Sequence, residues 1–183
     1  PRLMKRIDDL IESRLDRKGI IHTVSFSRAK QIYESSRWRD MMLLNQTANT
    51  QMVVDRFRAT KTPCVLVSPS VDTGFDFPYA AAEYQVICKV PFPVPTDPLV
   101  AARSLADPLY HRKLAVTRLV QMAGRVMRAE DDAGETFIID DSVNFLMSHT
   151  KPYFPMWFRD AYKRVGFIPP APARLTTGGM EIS

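Results

Sequence analysis

Four residues late in the chain have the types and the spacing needed to bind phosphate. They follow one another at offsets 0, 3, 4 and 7, as Gln121, Gly124, Arg125 and Arg128. On a helix these offsets form one stripe, and apolar residues fill the opposite side, so both arginines should face a cleft or a partner. Two planar, permanently charged guanidiniums form a fork for phosphate oxygens. A solvated basic helix face is the plain alternative.

The glycine within this motif carries a prediction of its own. Glycine in a helix interior costs roughly 0.5 to 1 kcal/mol relative to alanine. If the helix runs through Gly124, we therefore expect another part of the molecule or a ligand to approach the helix backbone closely at that residue.

Two further strings precede this motif. Residues 65–78 read VLVSPSVDTGFDFP, residues 91–98 read PFPVPTDP, and residues 121–134 read QMAGRVMRAEDDAG. In type, order and spacing these three strings resemble motifs of the XPD/DinG-like superfamily 2 DNA helicases, in their C-terminal, second RecA-like domain. The resemblance runs from about residue 19 to about residue 160. Thr73 stands where these helicases usually have Glu, so the role of that Glu does not carry over.

The resemblance implies half of an ATP-dependent motor. ATP and Mg²⁺ would be held mainly by an N-terminal RecA-like domain, of the same longer protein or supplied separately. This chain would present Arg125 and Arg128 to the γ-phosphate as arginine fingers, while Gln121, Gly74 and Asp76 would bind ATP and couple its state to the cleft. The sequence contains no Gly-x-x-x-x-Gly-Lys-Ser/Thr phosphate loop. By itself, the chain should not hydrolyse ATP.

Apolar runs and helix-periodic segments alternate along the chain. Continuous apolar strands with helices between them predict a doubly wound α/β fold, with a mainly parallel sheet covered by helices on both faces. The helicase resemblance implies that this fold is a RecA-like domain, a P-loop NTPase fold without its P-loop. Strands are expected at 20–24, 41–44, 64–67, 84–90 and 136–139. The expected organisation is an entry helix over 1–18, the RecA-like domain over 19–165, and a flexible tail over 166–183.

Short hydroxyl side chains follow two of the expected strands. Ligands of such folds bind beyond the carboxyl ends of the strands, so we expect the motif residues to gather there, with nucleotide on one face of that edge and DNA on the other. The candidates for phosphate contacts with single-stranded DNA are Ser25, Ser27, Arg28, Ser68 and Ser70. Ser27 can also be interpreted as a plain helix N-cap. RNA stays open as a substrate.

Composition agrees with an intracellular, nucleic-acid-binding domain. A net charge of +5 and a pI near 9.4 weakly favour a polyanionic partner. No apolar run or leader predicts a membrane span or signal peptide, which indicates the cytoplasm, nucleoid or nucleus. Cys64 and Cys88 lie in apolar segments and should be reduced buried thiols. His22, His111 and His149 lack metal-ligand spacing, so no metal site is expected.

Two other interpretations compete with the motor. The first is a non-catalytic module, derived from a helicase, that binds single-stranded nucleic acid or a protein. The second is a nucleotide-binding dehydrogenase, which would need a glycine-rich first turn that this sequence does not supply. Relatives of the resembled type move 5′ to 3′ and often carry an iron–sulfur cluster, which would lie in the other half of the motor, and this sequence predicts neither trait. The aromatic run at 153–158 is expected to close the core rather than stack bases.

Overall fold

A parallel sheet between two layers of helices forms the described part of the chain. The computed structural model describes residues 2–46, 50–69, 81–126 and 134–172. The strands are β1 (Gly19–His22), β2 (Met42–Leu44), β3 (Val65–Ser68), β4 (Tyr84–Ile87) and β5 (Glu135–Ile138). The helices are α1 (Arg2–Glu12), α2 (Phe26–Ser35), α3 (Thr50–Ala59), α4 (Pro98–Ala106), α5 (Tyr110–Ala123), α6 (Ser142–Thr150) and α7 (Met156–Ala161). Within these ranges, none of the helices is both long and apolar enough to cross a bilayer.

The strand order shows that the sheet is doubly wound. The order across the sheet is β2-β3-β1-β4-β5, and every neighbouring pair is parallel. The chain runs from β1 outward to β2, returns to β3, and then crosses β1 to reach β4 and β5 on the other side, which is the topology of an open, doubly wound α/β sheet. The predicted fold class is confirmed.

The two faces of the sheet are covered by different helices. Ile21, Val67 and Val86 pack on one face against α1 and α2. Ile20 and Leu66 point to the other face, where α3 covers them, and α5 covers Ile87 of β4. Burial of one such aliphatic side chain contributes roughly 1.5 to 3 kcal/mol. Both layers are thus held by the apolar runs from which the strands were predicted.

Strand β1 begins at a glycine for a steric reason. A Cβ added to Gly19 would lie 2.1 Å from Cζ of Tyr84. The Tyr84 ring is fully buried and crosses the start of β1. Any larger residue at Gly19 would displace that ring.

The segment before β1 binds the segment after α7. The guanidinium of Arg14 is fully buried and donates to both carboxylate oxygens of Glu135, at 2.8 and 2.7 Å. Arg14 also donates to the carbonyl oxygen of Pro169 at 3.3 Å, and Arg17 donates to that of Pro172. Within the expected flexible tail, Ile168, Pro169 and Pro172 therefore contact the domain. The remainder of that expected tail, residues 173–183, falls outside the described residues.

Candidate functional site

Helix α5 ends at the edge of the sheet where the strands begin. The side-chain amide of Gln85, the second residue of β4, donates to the carbonyl oxygens of Met122 and Ala123 at 2.9 and 3.0 Å. Gln121 and Arg125 flank these two residues and therefore lie at the amino edge. The expectation that the motif residues gather at the carboxyl edge is wrong for them. That rule describes loops that leave a strand, whereas α5 leads into the start of β5.

Gly124 ends the helix instead of lying inside it. It is the C-cap of α5, with φ −73° and ψ 0°, and its N–H donates to the carbonyl oxygen of Val120 at 3.0 Å. A Cβ at Gly124 would meet only the carbonyl oxygens of Val120 and Gln121, at 3.6 and 3.8 Å. These are ordinary contacts. Within the described residues nothing requires the close approach that a mid-helix glycine predicted, because the helix has already stopped.

Arg125 is held from both sides. Its N–H donates to the carbonyl oxygen of Met122 at 3.1 Å, and the next residue, Val126, is fully buried in the cluster that includes Ile20 and Phe57. The Arg125 side chain is half-buried, while that of Gln121 is exposed. The backbone position of Arg125 is therefore fixed by the core. Arg128 lies outside the described residues.

The opposite edge carries the loop between β1 and α2. Ser25 is the N-cap of α2, and its Oγ accepts from the N–H of Arg28 at 3.3 Å. The expectation that Ser27 caps this helix is wrong, because the helix begins earlier than expected, at Phe26. The Ser27 side chain is exposed, with its Oγ 3.3 Å from that of Ser25. Val24 has φ 62°, an unfavourable region for a β-branched residue.

Ser68 does not join this loop at the surface. It is the last residue of β3 and is fully buried, and its Oγ accepts from the side-chain amide of Asn45 at 2.9 Å. The strand runs one residue further than expected and carries Ser68 into the sheet, level with His22. The other candidates of this motif, Ser70, Gly74 and Asp76, lie outside the described residues.

A pocket of about 510 Å³ opens between the β1–α2 loop and the proline-rich segment that follows β4. Its lining includes three basic side chains, Arg28, Lys89 and His111. The rings of Phe92 and His111 stack at 5.5 Å with an interplanar angle of 19°. Of these residues the sequence pointed only to Arg28. The prolines indicated a stiff loop, but no local pattern indicated that His111 would meet it.

Cys88 is a buried thiol at this edge of the sheet. Burial raises the pKa of Cys88 to about 12, while the nearby charge of Arg28 acts in the opposite direction. Cys88 directly follows β4 and is a free, buried thiol, as the sequence predicted. With its pKa raised, this thiol stays protonated near neutral pH and supplies no negative charge to Arg28.

Basic and aromatic side chains continue from the pocket around the start of α5. The guanidinium of Arg112 lies 5.0 Å from the ring centre of Phe145, and Nζ of Lys113 lies 4.9 Å from that of Tyr153. Lys113 also donates to Asp107 at 2.6 Å. These pairs were missed from the sequence, since each joins different helices or turns.

The aromatic run after α6 is divided between core and surface. Phe154 and Phe158 are buried, with their rings stacked at 4.9 Å. Tyr153 and Trp157 keep 45% and 44% of their surface exposed. Core closure is therefore confirmed for the two phenylalanines but not for the two exposed rings.

The chain matches the model of a known protein family. Among the described residues, no group of three or more His, Cys, Asp or Glu side chains is placed to hold a metal ion. No curated protein matches the chain significantly. A family model described as the helicase C-terminal domain matches residues 9–161, from within α1 to the end of α7. The chain belongs to this family, the C-terminal helicase domain found in XPD/DinG-like helicases.

Proposed function

We propose that this domain is the second motor domain of an ATP-dependent DNA helicase. It would supply Arg125 and Arg128 to ATP bound on a companion RecA-like domain, and it would form half of a track for single-stranded DNA. Membership of the helicase C-terminal domain family supports a helicase-derived role. The observation that carries the proposal is the placement of Arg125 and Arg28 at opposite edges of one sheet.

The amino edge suits the nucleotide. An arginine finger stabilises charge on the equatorial oxygens of the transferred phosphoryl group and is worth roughly 10³ to 10⁵ in turnover. Such stabilisation works best from a preset position, and the backbone of Arg125 is fixed between α5 and the buried Val126. Gln121 precedes Arg125 by one helical turn and would report the state of the nucleotide. Gly74 and Asp76 are proposed to contribute to the same site.

Mg²⁺ and the phosphate loop would belong mainly to the companion domain. The residues of this chain would then bind and orient the γ-phosphate, without a metal ligand of their own. Closure of the two domains would bring Arg125 to the nucleotide, and opening would withdraw it. The distance between Arg125 and the phosphate would thus control turnover.

The carboxyl edge suits the nucleic-acid backbone. Arg28 lines the pocket, Ser27 is exposed, and Ser25 is the N-cap of helix α2, whose N-terminus favours phosphate oxygens. Each residue of a strand adds about 3.3 Å, so a strand of four residues separates this edge from Arg125 by roughly 13 Å. Nucleotide and strand could therefore be bound at the same time.

The test uses the domain together with its companion helicase domain. Arg125→Ala should lower ATP turnover by roughly 10³ or more while single-strand affinity stays within a few fold. Arg125→Lys should not restore turnover, because lysine lacks the planar fork. Arg118→Ala, at an exposed position earlier on α5, is the matched control and should have little effect. Unchanged turnover in Arg125→Ala and Arg128→Ala would remove the finger assignment and favour a non-catalytic binding module.

A further inference from the structure

The pocket at the carboxyl edge has a lining that suits one class of ligand. Its walls are apolar or aromatic, and basic groups lie among them. Among the described residues that line it, none is Asp or Glu. Its volume of about 510 Å³ is within the range of small-molecule sites, roughly 300 to 1,000 Å³. A planar ring joined to an anionic group matches this combination.

The aromatic wall is held in place before any ligand arrives. The N–H of Val90 donates to Oδ2 of Asp140 at 2.8 Å, which ties the loop to the end of β5. Nε2 of His111 lies 3.0 Å from the carbonyl oxygen of Pro93, and the His111 ring stacks on Phe92. Prolines at 91, 93 and 95 restrict the backbone between these contacts. A preorganised wall loses little entropy when a ligand binds.

The basic groups are placed around this wall on separate elements. Arg28 comes from α2, Lys89 from the segment after β4, and His111 from the first turn of α5. The Lys89 side chain is exposed, whereas those of Arg28 and His111 are half-buried. Anionic groups on either side of a bound ring could thus meet a cation from a different element.

We propose that this pocket seats one unstacked base of single-stranded DNA, with Arg28 and Lys89 bound to the phosphates on either side of it. The proposal rests on the proposed function and specifies how this domain would hold the strand. Stacking on an aromatic face accepts any base, since every base has a π-face. The pocket would therefore hold the strand without reading its sequence.

A strand explains the surroundings better than a free nucleotide does. The residue after His111 begins the series of basic and aromatic pairs, Arg112 with Phe145 and Lys113 with Tyr153. These residues follow His111 directly on α5, so further basic and aromatic groups lie near the pocket for the next nucleotides of a strand. A paired and stacked base in a duplex cannot enter such a pocket without being extruded.

The test compares a short oligothymidylate with its fully abasic counterpart, which keeps the same phosphates. Loss of base stacking should weaken binding to this chain by roughly tenfold or more, measured by fluorescence anisotropy. A strand carrying 2-aminopurine should lose fluorescence on binding, and His111→Leu should reduce that quenching. Equal affinity for the intact and the abasic strands would overturn the proposal.

Lys89→Gln tests the phosphate contact without a risk to folding, because Lys89 is exposed. It should reduce the slope of log affinity against log salt by about 0.7, the contribution of one phosphate on a single strand. Lys30→Gln, at an exposed position on α2, is the matched control and should leave the slope unchanged. An unchanged slope in Lys89→Gln, combined with unquenched 2-aminopurine, would refute the assignment.

Two competitors separate the strand from other ligands of similar chemistry. Free thymidine monophosphate should bind far more weakly than the oligonucleotide, and equal affinity would make this a mononucleotide site instead. An RNA strand bound tenfold more tightly than DNA would overturn the assignment to DNA. If turnover depends on Arg125 but removal of the bases does not weaken binding, the pocket proposal is refuted and the proposed motor function stands. Base-dependent binding without a finger effect would instead remove the proposed motor function.

Discussion

Oε1 of Gln85 lies 2.9 Å from Nε2 of His22, within the layer between the sheet and α5. Both side chains are buried. The amide nitrogen of Gln85 donates in turn to the last turn of α5 and to Oγ1 of Thr136, at 2.8 Å. His22 ends β1 and precedes the loop that lines the pocket. One buried network therefore joins the carboxyl edge, where nucleic acid is proposed to bind, to the helix end that positions Arg125.

Gln85→Leu should destabilise the domain by roughly 1 to 3 kcal/mol, because it removes the buried amide that bonds to His22, Thr136 and the last turn of α5. Urea unfolding measures this change. Hydrogen exchange should also become faster at the amides of Gly124 and Arg125, which cap the same turn. Gln31→Leu, on the exposed face of α2, is the matched control. Equal stability of the two variants would show that the network contributes little.

Gly134→Ala should destabilise the domain, since a Cβ at this position would lie 2.1 Å from the carbonyl oxygen of Val126. Backbone cannot move aside as a flexible side chain can, and such overpacking costs typically 1 to 3 kcal/mol. Gly166→Ala is the natural control, because nothing lies within 4 Å of its added Cβ. Thermal unfolding of both variants checks this difference. A similar melting temperature for the two would contradict the close approach.

Arg28→Ala and Arg125→Ala should differ in the salt dependence of single-strand binding. Arg28 lies at the proposed strand edge, so its loss should reduce the slope of log affinity against log salt by about 0.7. Arg125 lies at the other edge, and its loss should leave the slope nearly unchanged. Anisotropy titrations at several salt concentrations measure both slopes. The reverse ranking would mean that the nucleotide and nucleic-acid edges have been exchanged.

Cys88 should make stability fall in alkaline solution. Its thiol ionises at a pKa near roughly 8.5 in an unfolded chain, whereas burial raises the pKa to about 12 in the folded domain. Between these values the folded state binds more protons, so the free energy of unfolding falls as pH rises, by up to about 1.4 kcal/mol per pH unit. Below this window the contribution is fully present.

Urea unfolding of the native domain and of Cys88→Ala, over a pH series from about 7.5 to 10.5 around the unfolded pKa, isolates this contribution. Subtracting the free energy of unfolding of the variant from that of the native domain at each pH removes the contribution of other titrating groups. One of these is Lys18, whose pKa is lowered by burial. The variant should show a flatter decline. Parallel curves would mean that the thiol is accessible in the folded state.

The sheet was predictable because each strand is a short apolar run that helical segments separate from the next. The order of the strands follows from no local pattern, yet the class of fold does. Arg14 and Glu135 show the limit of this approach. They are 121 residues apart in sequence, and from the sequence alone each would be expected on the surface as an exposed charged residue. Only the completed sheet brings them together.

The site was predicted in part, and each incorrect prediction has a local cause. Val126 continues the apolar side of α5 on a helical wheel, so the sequence extended the helix through Gly124. The structure buries Val126 although the helix has ended, because the chain continues across the same core. Ser25 and Ser27 are equally good caps by chemistry, and only the position of Phe26 decides between them. The pocket required Phe92 and His111, which meet through tertiary packing alone.

The bonds from Arg14 and Arg17 to the carbonyl oxygens of Pro169 and Pro172 also set how the domain would respond to mechanical force. If residues 2 and 172 were pulled apart, the load would first reach these hydrogen bonds, which join the two end segments directly to each other. Part of the load would also reach β5, because Arg14 binds Glu135 of that strand. A rupture event at low force, absent when Arg14 and Arg17 are both replaced by Met, would then precede the unfolding of the sheet in a single-molecule pulling experiment.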